Sequence, residues 1–125
     1  MKIGLPILEQ KLEGDSVVSN ERIAVFDIDT SVYSEERWEQ NFPVLAAKEG
    51  LFEYIERIQA ADTTDRVRVA CMLKAIYCFI ESSEIPTYKD FAQMIVLSDP
   101  DYATRFLEKL KDAFKAILNG SSVKN

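Results

Sequence analysis

No histidine occurs anywhere in the 125 residues. Its absence removes the side chain that titrates closest to neutral pH and the commonest metal-binding ring. Serine–histidine and cysteine–histidine nucleophile systems go with it, as do most zinc sites. Glycine is scarce too. Gly4, Gly14, Gly50 and Gly120 stand alone and far apart, so no glycine-rich loop can cradle a phosphate. Cations are outnumbered, 15 against 21 acids, for a net charge of −6. The excess lies in residues 1–60, with twelve acids and six bases, while residues 61–125 carry nine of each. An acidic half repels phosphate backbones and anionic headgroups, so neither nucleic acid nor a membrane is an expected partner. A neutral or basic protein surface suits it better, although the charge also keeps a chain in solution.

No apolar run approaches the roughly 20 residues of a membrane span. The first apolar stretch is broken by Pro6, Glu9 and Lys11, unlike a signal peptide. Cys71 and Cys78 are seven positions apart. On a helix that separation is about 10 Å, beyond disulfide reach, and free thiols suit a reducing compartment. These features predict a cytosolic protein.

Hydrophobic residues make up 47% of the chain, enough for one ordinary core and one domain over residues 1–120. Residues 22–28 alternate as a strand, with Ala24, Phe26 and Ile28 on one face and Ile23 and Val25 on the other. Its partner must come from residues 1–8 or 16–18, with Gly14-Asp15 as a turn. This β arm, about residues 1–30, is expected to be short, either a strand or a hairpin. Its unpaired edges offer a route to a homo-oligomer.

Helical signals dominate from Ser34, expected as an N-cap ahead of Glu35 and Glu36. Trp38, Phe42 and Leu45 share a face, and Pro43 either kinks that helix or opens a new one. A short helix over 51–58 follows Gly50. Thr63 or Thr64 caps a helix over 65–81, apolar nearly all round and therefore central. Ser82, Ser83 and Pro86 end it. Thr87 with Asp90 opens a helix through Leu97, with Phe91, Met94 and Ile95 inward. Asp99-Pro100 starts the last helix, which runs to about Leu118 and stops at Asn119-Gly120, leaving 121–125 as a flexible tail. The expected fold is mainly α: a compact bundle of four to five helices with a short N-terminal strand or hairpin arm.

Candidate chemistry is thin. Asp27 and Asp29 follow an apolar strand, as in the nucleophile motif of haloacid-dehalogenase-like phosphatases. The later strands and second acidic pair such an enzyme needs are not in the pattern, and the acids also suit a strand exit. Glu49, Glu53 and Glu56 share a helix face, which favours a solvated surface over a metal site without histidine. Cys71 and Cys78 suit a helix core. No catalytic set, metal site or cofactor is expected. Trp38, Phe42, Phe52 and Tyr54 crowd a short region with Glu49 and Glu53. They form either a core wedge or an acid-rimmed aromatic groove for a partner helix.

Residues 26–33 (Phe-Asp-Ile-Asp-Thr-Ser-Val-Tyr), 36–43 (Glu-Arg-Trp-Glu-Gln-Asn-Phe-Pro) and 51–57 (Leu-Phe-Glu-Tyr-Ile-Glu-Arg) together resemble the tail assembly chaperones of long-tailed phages and prophages. The resemblance implies a non-enzymatic protein of tail morphogenesis in the host cell cytoplasm. It would bind the helical tape measure protein and help recruit tail tube protein around it. It further implies a longer product made by ribosomal frameshifting, of which this chain would be the shorter form. A structural tail or head–tail connector protein is the alternative.

Overall fold

The computed structural model describes residues 1–81, 85 and 87–120. The frayed end expected at 121–125, and the helix-ending Ser82, Ser83 and Pro86, lie outside the described residues. The elements are β1 (Lys2–Glu13), β2 (Ser16–Asp27), α1 (Val32–Asn41), α2 (Pro43–Ala46), α3 (Leu51–Ala60), α4 (Asp65–Phe79), α5 (Tyr88–Ala92) and α6 (Pro100–Gly120).

The expected mainly α bundle is corrected. The first 27 residues form one long antiparallel hairpin of two twelve-residue strands, and Ile80 adds a third-strand bridge to Ile28. With six helices among the described residues, the fold is α/β. The partner of residues 22–28 is the N-terminal stretch, but the ladder continues through the polar middle to Glu13 and Ser16. Gly14 holds φ at +62° as the first central residue of the two-residue turn. That geometry fits the right-handed twist of a hairpin and favours glycine there.

The register sorts the hairpin into two faces. Ile3 lies opposite Phe26 and Leu5 opposite Ala24, and all four are buried. The other face carries Gly4 opposite Val25, Pro6 opposite Ile23 and Leu12 opposite Val17. Pro6 sits in an edge strand, where its missing N–H breaks no ladder bond. Its carbonyl accepts from the Tyr102 hydroxyl at 2.7 Å, and the Leu8 N–H donates to the Met94 carbonyl at 3.2 Å. The outer edge of β1 is thus closed by α6 and the segment before it. The β2 edge is closed at its base, where Asp29 N–H donates to Phe79 O and Glu81 N–H to Asp27 O.

Helix ends follow local chemistry. Thr64 caps α4 through the Val67 N–H, and Thr87 caps α5 through the Asp90 N–H. Asp99 accepts from the Tyr102 N–H, with Pro100 as the first residue of α6. The cap of α1 is Ser31, not Ser34. Ser34 is buried within the helix and donates to the Ser31 carbonyl. Pro43 opens α2 rather than kinking α1. α4 ends at Phe79, two residues early, because the following backbone pairs with the hairpin. α5 ends at Ala92, short of Leu97.

One core joins both layers. A chain of ring contacts runs from Tyr54 through Trp38, Phe42, Tyr88, Tyr77 and Phe91 to Phe26. It ties α3, α1, α5 and α4 to the hairpin. Arg37, half-buried, fastens the same corner. Its Nε donates to the Cys78 carbonyl, and its guanidinium reaches Asp29 at 3.4 Å.

Candidate partner-binding surfaces

The aromatic groove does not form. Trp38 and Tyr54 are buried, at 0% and 3% exposure, and Phe42 and Phe52 are half-buried against the core. Trp38 and Tyr54 pack ring to ring at 4.8 Å. The Trp38 Nε1–H donates to the Glu49 carbonyl at 3.0 Å, and the Tyr54 hydroxyl donates to the Cys71 carbonyl at 3.2 Å. Each polar handle is used internally, as burial of a ring N–H or O–H requires. Phe52 meets Phe79 and Phe42 meets Tyr88. The structure therefore gathers these four aromatics as a wedge within the core. A depression of about 270 Å³ over α1 and α2 is lined by Glu39, Pro43, Ala46 and Ala47, without an aromatic ring.

The two acids assigned to the rim have structural work instead. Glu49 binds Arg57, at 2.7 Å to Nη2, and Glu53 accepts from the Gly50 N–H at the start of α3. Glu35 accepts from the neighbouring Leu51 N–H. Carboxylates at a helix N-terminus also meet its positive dipole end.

Asp27 and Asp29 are each engaged separately. Asp27 is exposed and accepts from Lys2 Nζ at 2.6 Å, which holds its carboxyl below the usual range. Asp29 is lowered mainly by hydrogen bonds from Ser31, with Arg37 adding to the effect. Among the described residues, no three His, Cys, Asp or Glu side chains converge as metal ligands. Cys78 is buried, and burial pushes its thiol up to about 12; Cys71 is half-buried, and neither is disulfide-bonded.

The surface that stands out is the hairpin face away from the core. Leu12 (74%), Val17 (66%), Ile23 (57%) and Val25 (64%) are all exposed on it. From position 17 to 25 the strand rises about 26 Å at some 3.3 Å per residue. On the same face of β1, Pro6 is buried and Leu8 half-buried, so the open side belongs chiefly to β2 and the tip. Gly4 helps shape it: a Cβ there would stand 2.9 Å from Ile23 Cγ2. Acids dominate residues 9–21, where Glu9, Glu13, Asp15 and Glu21 face a single base, Lys11. Glu9 is paired with Arg22 and Glu21 with Arg105, leaving Glu13 and Asp15 around the turn beside Leu12 and Val17. Sequence reasoning placed Ile23 and Val25 on a common face but missed Leu12 and Val17, which polar residues 19–22 separate from them along β2.

No protein-family model, no curated protein and no solved structure matches the chain. Among the described residues, no helix is long and apolar enough to cross a membrane.

Proposed function

We propose that the protein is a non-catalytic assembly chaperone for phage tail morphogenesis, working in the host cytoplasm and shielding an apolar helix of the tape measure protein. The client class rests on the resemblance carried by residues 26–57. The observation that carries the binding role is the exposed apolar face of the hairpin, Leu12, Val17, Ile23 and Val25. Its length of about 26 Å, at about 3.3 Å per strand residue, matches an amphipathic helix of about eighteen residues at 1.5 Å per residue. Glu13 and Asp15, beside the apolar tip, select a client helix flanked by lysine or arginine. Binding is stoichiometric, driven by apolar burial, with no turnover of a nucleotide. Recruitment of tail tube protein follows from the resemblance alone.

Co-expression with the tape measure protein tests this reading. The wild-type chain should be retained by the tagged client, and a double Leu12→Ser/Val17→Ser variant should lose at least tenfold in retention. Failure to associate with either tape measure or tail tube protein overturns it. Retention unchanged by the double variant moves the site away from the hairpin. Recovery of the chain from purified particles would make it a structural tail component instead. Light scattering over a concentration series tests the competing use of the hairpin, β2 edge to β2 edge between two copies. A concentration-dependent dimer abolished by the double variant would favour that occupant.

A further inference from the structure

One cleft of the structure has the opposite charge from the protein as a whole. It is a partly open cleft of about 470 Å³, between the end of α3, the start of α4 and the last turns of α6. Arg68, Lys111 and Lys115 line it, together with Gln59, Met72, Leu118 and Asn119, and among the described residues no Asp or Glu side chain does. In a chain of net charge −6, a concave site whose described wall holds three cations and no acid is a local reversal.

Arg68 supplies the directional element. Its Nη2 donates to the Ala61 carbonyl at 2.8 Å, which fixes the guanidinium, and its Nη1 lies 3.8 Å from the exposed Asp65 carboxylate. Its Nε–H is buried and lacks a hydrogen-bond partner among the described residues. A buried donor without a partner costs free energy, and leaves the guanidinium short of one acceptor. Lys111 and Lys115 stand four residues apart on α6, hence on one helix face, and supply mobile positive charge. Met72, 1% exposed, and the half-buried Leu118 form the apolar part of the wall. The volume lies within the range of small-ligand clefts, which pair apolar lining with a few placed polar groups.

The geometry points to a binding site for a carboxylate borne on an apolar stem, its oxygens at the Arg68 guanidinium and the two lysines and its stem against Met72 and Leu118. Two sources share that chemistry: a free amphipathic acid, and the C-terminal carboxylate of a polypeptide ending in an apolar residue. The site is separate from the hairpin face and does not depend on its client.

Calorimetric titration of the full chain tests the proposal. One arm uses decanoate against decanol; the other uses a hexapeptide ending in leucine, as free acid against amide. At least one free carboxylate should bind, at least tenfold tighter than its neutral counterpart and more weakly as salt rises. The arm that binds identifies the source. A Lys111→Gln/Lys115→Gln variant, changed only at exposed positions, should weaken binding at least tenfold while its thermal midpoint stays in place. No heat from either acid at millimolar concentration overturns the proposal. Equal binding of acid and neutral partner, or full binding by the double variant, overturns it as well.

Discussion

The base and the tip of the hairpin are made from the same two strands in one unbroken register, yet they are held in different ways. At the base, Ile3, Leu5, Ala24 and Phe26 are buried, and the outer edges are closed by Tyr102, Met94 and the bridge at Ile80. At the tip, Leu12 and Val17 are exposed and the strands have chiefly each other. A two-stranded ribbon alone is marginal in water, so the base supplies the stability on which the tip depends. The difference teaches that strand length here is set by anchoring at one end, which leaves the other end available for contact.

Four experiments press on that contrast. The largest effect belongs to Phe26→Ala, which removes the ring joining the hairpin to Phe91 and should cost about 3–5 kcal/mol in urea unfolding. An effect below about 1 kcal/mol would mean that the base is not the anchor. Tyr102→Phe leaves the buried Pro6 carbonyl without its donor and should cost about 1–3 kcal/mol by the same measurement. The third experiment is acid titration. Glu9, Asp27 and Asp29 have folded pKa values below their ordinary ones, so their stabilisation is complete above about pH 5. It is lost as pH falls through the lowered folded values, and Asp29→Asn should flatten that fall in a pH series of thermal midpoints. The smallest effect is at the tip: Leu12→Ser/Val17→Ser should shift stability by no more than about 0.5 kcal/mol per site. A larger loss would show that the tip is packed rather than presented.

Much of this was written locally in the sequence. Thr64, Thr87 with Asp90, and Asp99-Pro100 cap the helices that their spacing predicts, because a cap is chemistry within four residues. The alternation of residues 22–28 and their pairing to the N-terminus were equally legible. What failed depends on distant neighbours. Residues 9–20 show no buried face, so period-two alternation could not reveal their strands, and the helical half was weighted instead. The early end of α4 follows from pairing across some fifty residues, Ile28 with Ile80. The aromatic set Trp38, Phe42, Phe52 and Tyr54 was recognised as a cluster, but its orientation depends on α4 and α5 covering it. Arg37, whose reach spans Asp29 and Cys78, carries no local signal at all.

The most direct measurement of the hairpin's role is amide hydrogen exchange of the full chain, free and bound to the tape measure protein. The contrast between base and tip predicts slow exchange at Leu5 and Ala24 in both states. Around Leu12 and Val17, exchange should be fast in the free chain and slow by at least tenfold in the complex. Protection gained elsewhere, with the tip unchanged on binding, would contradict the assignment of the hairpin as the surface that holds the client.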